Sequence, residues 1–360
     1  MLYKMNENEI TDKRLIKEFK GVTFSKFKKS EAKKALLNNL SNGKLEPACY
    51  WGGEFICAGH YMDLWEILLF FSSKHIHLGN PKLPIYLDLR LSHFKSILNG
   101  GYRDNILKMR NNIKIRKLFG EIICVLCLSK KKHTFDNIKI NKEDFNITKI
   151  TYKLNADNTS YAQQIFKNDD PSELFVGINE FCWNILKSQK NGSAACYWLE
   201  WILGFEDICK KEQKKYCGSR RSNIPVEGTF QKDIIWLIWE SLLYEASKRN
   251  KGLHKIIKAL LNLFCLQYKP GVRRRRKYLI YFSINLLTEP LDNKIKIIPN
   301  ESLINTVTSK INVIYKQIKK NEIKPDTDYL FNNSITNNNL EKTISKLEKM
   351  NALTGMIPRS

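Results

Sequence analysis

Ala48-Cys49-Tyr50-Trp51 recurs later in the chain as Ala195-Cys196-Tyr197-Trp198. A four-residue identity that includes both Cys and Trp points to an internal duplication, and the flanking sequence extends it in order. Upstream, Ser30-Glu31 opens a helical stretch ending near Leu40, and Ser172-Glu173 opens one ending near Leu186. Ser followed by an acidic residue suits the first turn of a helix. Downstream, Asp63-Leu64-Trp65-Glu66-Ile67-Leu68-Leu69 parallels Asp233-Ile234-Ile235-Trp236-Leu237-Ile238-Trp239-Glu240. Lys117-Leu118-Phe119 opens a helix through Cys127, as Lys277-Tyr278-Leu279 opens one through Leu287, and the pairs Asp136-Asn137 and Asp292-Asn293 follow.

The segments between these anchors carry the period of an α-helix. Apolar residues recur at i, i+3, i+4 and i+7 in Leu64–Phe71, Ile115–Leu128, Ile234–Ala246 and Ile256–Leu266. Gly and Pro fall between them, in His77-Leu78-Gly79-Asn80-Pro81 and Lys269-Pro270-Gly271, where they stop helices and turn the chain. Strand signals are weak, with only Ile138–Ile140 and Lys294–Ile298 reading as extended. The predicted fold is therefore all-α or nearly so: two tandem diverged copies of one helical module plus a C-terminal tail helix. Residues 1–24 read as an N-terminal extension, 25–155 as the first module and 170–325 as the second, with polar, turn-rich Asn155–Pro171 between them. Residues 326–360 read as a linker, Asn-rich over Asn332–Asn339, followed by an amphipathic helix carrying Leu340, Ile344, Leu347 and Met350 on one face. That helix would dock on its own protein or on a partner.

Composition narrows the function. Hydrophobic residues make up 43% and charged residues 27%, a globular balance, while 60 Lys and Arg against 36 Asp and Glu leave a formal charge of +24. That surplus favours a polyanionic partner, nucleic acid first and DNA ahead of RNA, although Lys- and Asn-rich usage also follows from an AT-rich genome. The nine Cys are scattered, several inside apolar runs, which argues against a disulfide framework and for a reducing intracellular compartment: cytoplasm, viral factory or nucleus. The first residues, MLYKMNENEITDKRLIKEF, hold no continuous apolar core of a secretory signal. The longest apolar stretch, Leu64–Phe71, is interrupted by Glu66 and falls far short of the roughly 20 residues of a membrane span.

Two basic clusters are the candidate nucleic-acid-binding residues. Arg273, Arg274, Arg275, Arg276 and Lys277 precede the helix expected from Tyr278, where cations oppose the helix dipole and so suggest an external anion. Between Cys196 and Asp233 the second module is much longer than its counterpart between Cys49 and Asp63. This insertion, about 209–231, carries Lys210, Lys211, Lys214, Lys215, Arg220 and Arg221, with Tyr216 among them. Cations beside an aromatic ring suit backbone neutralisation with base stacking. Solvated basic loops are the alternative for both, and a single electropositive surface formed by the two is the expectation.

Other chemistries are less well supported. Cys124-x-x-Cys127 has zinc-knuckle spacing but sits in an apolar helical stretch where both thiols pack in a core, and Cys209 with Cys217 lacks a second pair to complete four ligands. No metal or other cofactor is expected. His60, His75 and His77 gather near Asp63 and Cys57, yet no nucleophile or nucleotide-binding motif accompanies them, and His75 and His77 fit a helix C-terminus. Trp51, Trp65, Trp183, Trp198, Trp201, Trp236 and Trp239 recur at equivalent places in the two modules, which favours core packing over ligand stacking.

Ala48 to Pro81 resembles the C-terminal helical collar of clamp-loader-type AAA+ ATPases, in particular the replication-associated recombination protein A and Werner-interacting ATPase family. That family carries A-L-Y-W-L-A-R-M-L, a Gly-containing turn, a second long helix and then S-E-D-I-G-x-A-D-P. Here Ala48-Cys49-Tyr50-Trp51, Gly59 and Ser73-Lys74-His75-Ile76-His77-Leu78-Gly79-Asn80-Pro81 stand in those places, across about a tenth of the chain and with one single-residue gap. Lys74 and His75 replace the family's acidic pair, and the G-x-x-x-x-G-K-[ST] loop is missing from the whole chain. The resemblance therefore implies a collar kept without its ATPase, with subunit assembly or a replicative role near DNA. The sequence also resembles proteins of large DNA viruses. The function expected is a non-enzymatic, nucleic-acid-associated accessory protein in replication or repair; the alternative is a structural or adaptor protein, viral in the latter resemblance, whose modules make subunit contacts or self-associate.

Overall fold

Alternating apolar periodicity and helix-stopping turns give a chain of helices, seen in a computed structural model that describes residues 7–102, 105–134, 138–211 and 217–325. In order these are α1 (Lys29–Ser41), α2 (Leu45–Cys57), α3 (Tyr61–Phe71), α4 (Leu83–Ile97), α5 (Ile106–Asn111), α6 (Ile113–Leu128), α7 (Ile147–Ile150), α8 (Phe175–Asn184), α9 (Gly192–Lys211), α10 (Ile235–Arg249), α11 (Lys251–Phe264), α12 (Arg273–Thr288), α13 (Glu301–Ser309) and α14 (Ile311–Lys319). The fold is all-α. Among the described residues the only β-type pairing is an isolated bridge between Val22 and Lys28. Ile138–Ile140 and Lys294–Ile298, read as extended from sequence, are irregular connections rather than strands.

Each apolar run became a helix near its expected place, but two helices start earlier. α6 begins at Ile113 instead of Lys117, where the Asn112 side chain accepts the amides of Lys114 and Ile115. α12 begins at Arg273 instead of Tyr278, directly after a 3₁₀ turn at Pro270–Val272. Its first turn is built from the arginine run itself, which four consecutive cations at a helix start would oppose unless carboxylates from elsewhere neutralise them.

Several helix pairings recur in the two halves, although the extensive packing of α10 on α11 has no comparable counterpart between α3 and α4. α1 packs on α2 as α8 packs on α9; α2 lies on α6 as α9 lies on α12; α3 and α4 both meet α6 as α10 and α11 both meet α12; α1 meets α3 as α8 meets α10. α6 and α12 are thus the central helices, with nearly every residue of their apolar faces buried. The halves join through α4 against α11 and through α3 against α12. A single continuous hydrophobic core runs through both. Trp65, Trp198, Trp236 and Trp239 are fully buried in it, where each removes a large apolar surface from water. Trp51 and Trp183 are only half-buried, packed on Phe27 and Tyr161 with ring centroids 5.1 and 5.8 Å apart.

Residues 7–24 and 301–325 close on the first half, while the tail helix expected within 326–360 lies outside the described residues. α13 packs on α6, and α14 on α2 and α6, so residues assigned by sequence to the second module cover the first half. Close approach there requires Gly52 and Gly53: a Cβ would meet Ile123 Cδ1 at 2.3 Å and Ile318 Cδ1 at 2.6 Å. Residues 7–24, an extension by sequence, are tied down rather than projecting. Arg110 donates to the carbonyls of Asp12 and Arg14, both at 2.9 Å, and the Asp12 carboxylate accepts Arg14 Nε and the Ile323 amide at 2.9 Å. Burial would raise the Asp12 pKa, but hydrogen bonds from Arg14 and the Ile323 amide hold it down at about 2. The fully buried Glu54 of α2 accepts Thr23 Oγ1 at 2.8 Å and the Ser25 amide at 2.9 Å, fixing the same segment.

Candidate nucleic-acid interface

The arginine run divides by helical geometry, because consecutive residues on α12 point in different directions. Arg273 turns inward: it donates to Glu206 at 2.9 Å, to Asp233 at 2.9 Å and to the Pro270 carbonyl at 3.0 Å. Burial opposes its charge, but the Asp233 and Glu206 carboxylates hold the guanidinium above its ordinary pKa. Arg276 is also buried and crosses between the halves. It donates to Glu66 of α3 at 2.5 and 3.1 Å and to the carbonyls of Phe264 and Leu266 at 2.7 and 2.6 Å. Lys277 pairs with Glu200 at 2.6 Å. Arg274 is exposed but paired with Asp207, leaving Arg275 as an exposed guanidinium with no ion pair among the described residues.

The insertion divides likewise. Arg221 is fully buried, donating bidentately to Asp170 at 2.5 and 2.6 Å and to Glu240 at 2.9 Å. Arg220 is exposed and donates to Gln231 at 2.8 Å. Lys210 and Lys211 form the last turn of α9, and Lys211 is exposed. Lys214 and Lys215, with Tyr216, lie outside the described residues. The expectation of a solvent-facing run is therefore corrected: Arg273, Arg276 and Arg221 are interior ion-pair partners, because five arginines and lysines of these clusters found carboxylates far away in sequence. What the fold does bring together is the start of α12 and the end of α9, through Arg274 and Asp207, one turn before Lys211.

Arg274 and Arg275 open onto a cleft of about 360 Å³ that the sequence did not reveal. Its other wall belongs to the first half: Lys29, Ser30 and Lys33 of α1, and Asp63, Glu66 and Phe70 of α3, with Tyr278 of α12 opposite. Phe70 and Tyr278 stand edge to face with centroids 5.7 Å apart. Lys74 Nζ lies 5.5 Å from the Phe70 ring and 5.0 Å from Tyr278, and Lys33 Nζ lies 5.8 Å from Phe70. Both carboxylates of the cleft are already neutralised, Asp63 by Lys29 at 2.6 Å and Glu66 by Arg276. Lys33 and Arg275 in the lining, and Lys74 over the two rings beside it, have no such partner among the described residues, so the cleft is electropositive.

No known protein family, curated protein or solved structure matches this chain. The cleft is therefore read from its own chemistry. The signal for its first wall was present in the basic stretch Lys26, Lys28, Lys29, Lys33 and Lys34, which the sequence reading did not single out. Its meeting with α12 could come only from the packing of α3 on α12.

The remaining candidates are structural in their surroundings. Cys124 and Cys127 are buried on α6, Cys124 Sγ lying 3.8 Å from Cys49 Sγ, and all nine cysteines are thiols. Cys209 is buried in α9 while Cys217 is exposed, and among the described residues no three metal-ligating side chains gather. His60 Nε2 faces the carbonyls of Phe19 and Val22 at 3.0 and 2.9 Å. His75 Nδ1 meets His133 Nδ1 at 3.2 Å, and His77 is buried at a positive φ of 48° against the Phe282 ring. Among the described residues no helix is long and apolar enough to cross a membrane.

Proposed function

We propose that this protein is a non-enzymatic nucleic-acid-binding accessory protein, of the kind that serves replication or repair, and that it holds a phosphate backbone across the cleft between α1, α3 and α12. The observation that carries this reading is the set Lys33, Lys74 and Arg275. They are cations from three separate elements, gathered around two aromatic rings and lacking internal carboxylate partners, while the buried cations nearby are neutralised. Cations without partners cost little to expose and gain most from a polyanion, whose condensed counterions they release. Exposed Lys211 follows Asp207, the partner of Arg274, by one turn of α9 and adds a cation on that side of α12. The helix pairings that recur in the two halves, α1–α2 with α8–α9 and α2–α6 with α9–α12 among them, are compatible with a duplicated module.

The test is fluorescence anisotropy of labelled DNA and RNA titrated with the full chain across a salt series. Affinity should fall linearly in log–log form, with a slope of about −0.7 to −0.9 per phosphate neutralised. Arg275→Ala with Lys33→Ala should weaken binding and flatten the slope by about one to two such units. Absence of affinity even at low salt refutes the reading and leaves subunit assembly by the helical modules as the function to test.

A further inference from the structure

The cleft also says which form of nucleic acid it suits. We infer that it takes one unpaired nucleotide of a single strand, base against the Phe70–Tyr278 pair and phosphates on Lys33, Lys74 and Arg275, without selecting the base. This deepens the proposed function and rests on it.

Size is the first reason. A cleft of about 360 Å³ is at the small end of small-molecule sites and admits one nucleotide unit, whereas a duplex keeps its bases paired inside and would offer the cleft only its outer backbone. Chemistry is the second. Phe70 and Tyr278 are half-buried ring walls, one from each half of the protein, and the ammonium groups of Lys33 and Lys74 lie 5.0–5.8 Å from their centroids. A base has its own π face, so it replaces the solvated lysine over the ring and sends that ammonium to the neighbouring phosphate.

Base tolerance follows from what the cleft lacks. Reading a base edge needs an oriented fork of donors and acceptors. The two carboxylates in the cleft are held by Lys29 and Arg276 and the Arg275 guanidinium goes to the phosphate, which leaves the freely rotating hydroxyls of Ser30 and Tyr278 to meet a base edge among the described lining residues. Rigidity is the third reason. Arg276 and Glu66, one helical turn or less from Tyr278 and Phe70, lock α12 to α3 beneath the cleft, so the two rings are held at a fixed separation before any ligand arrives.

The experiment compares three labelled probes of equal length with the full chain: an oligo-thymidine strand, a duplex, and a strand of abasic sites that keeps the phosphodiesters and lacks the bases. The oligo-thymidine should bind at least ten-fold tighter than either of the others. Tyr278→Leu should lose about 5- to 100-fold on oligo-thymidine and little on the abasic strand, at unchanged salt slope. Tyr278→Phe, which keeps the ring, should retain the preference, and its behaviour guards against a folding defect in the leucine variant; Phe70→Leu is the independent second wall. Equal affinity for all three probes, or an equal loss on all three in Tyr278→Leu and Phe70→Leu, overturns the single-nucleotide inference while leaving backbone binding standing. No salt-dependent affinity for any probe overturns the nucleic-acid reading and this inference with it.

Discussion

Replacing Arg276 by Ala and, separately, its neighbour Arg275 by Ala should give very different proteins. The Arg276 side chain is 4% exposed and makes two bonds to Glu66 and one each to the Phe264 and Leu266 carbonyls at the end of α11. Removing one partner of a buried pair costs about 3–5 kcal/mol. Because the Glu66 side chain keeps 25% of its exposure, water offsets part of that, and the low end, about 3 kcal/mol, applies. The two orphaned carbonyls add about 1 kcal/mol more, even after water enters the space. The sum of about 4 kcal/mol compares with about 0.5 kcal/mol or less for exposed Arg275. Urea unfolding followed by Trp fluorescence is the assay, since Trp65 shares α3 with Glu66 and Trp236 packs on Phe264 with centroids 6.0 Å apart. With a slope of about 3 kcal/mol per molar, the Arg276→Ala midpoint should fall by a little over 1 M while Arg275→Ala stays in place. A double variant with Glu66→Ala should lose less than the sum of the single changes. Equal shifts in the two arginine variants would refute the division of the run into interior and surface members.

Acid should destabilise the protein through two histidines. Burial, chiefly, pushes the His77 pKa down to about 3, with Lys132 adding and the Tyr281 backbone opposing; burial, then His133 and Lys74, push His75 down to about 4. A histidine with a depressed folded-state pKa binds fewer protons in the fold than when unfolded. Its contribution is therefore complete above the unfolded value of about 6.5 and is lost as pH falls toward 3 for His77 and toward 4 for His75. Between pH 7 and 5 buried His77 should cost about 2 kcal/mol and half-exposed His75, screened by water, less; His77→Asn, whose side chain tolerates positive φ, should flatten that limb in chemical unfolding, and an unchanged pH profile counts against a buried neutral His77. Gly79→Ala should be among the most damaging small changes, because its Cβ would fall 2.1 Å from the Lys130 carbonyl oxygen, a backbone atom that cannot swing aside. A loss of about 3 kcal/mol is expected, against about 0.5 kcal/mol or less for Gly100→Ala, where nothing lies within 4 Å; comparable unfolding midpoints would contradict that packing.

Helix existence was legible because its causes are local. The i, i+3, i+4 apolar spacing of Ile115–Leu128 and Ile234–Ala246 decides a buried face within one segment, and Asn112 caps its helix within three residues. The recurrence around Trp51 and Trp198 likewise placed the corresponding helices in order. The start of α12 was misplaced because the local rule against cations in a first turn is correct only when no distant carboxylate answers them.

The sequence by itself determined an all-α chain, the order of its helices and an excess of cations. Only the tertiary structure decided which cations are free. Arg276 finds Glu66 across 210 residues, Lys277 finds Glu200 across 77, and Arg221 finds Asp170 across 51, so neighbours in one run end with opposite roles. The cleft has the same origin: Phe70 and Tyr278 carry no mark of each other in sequence, and they become one site because α3 and α12 bury their apolar faces together. Local periodicity fixes which face of a helix is apolar; which charges meet across the buried faces is set by the packing of helices far apart in the chain.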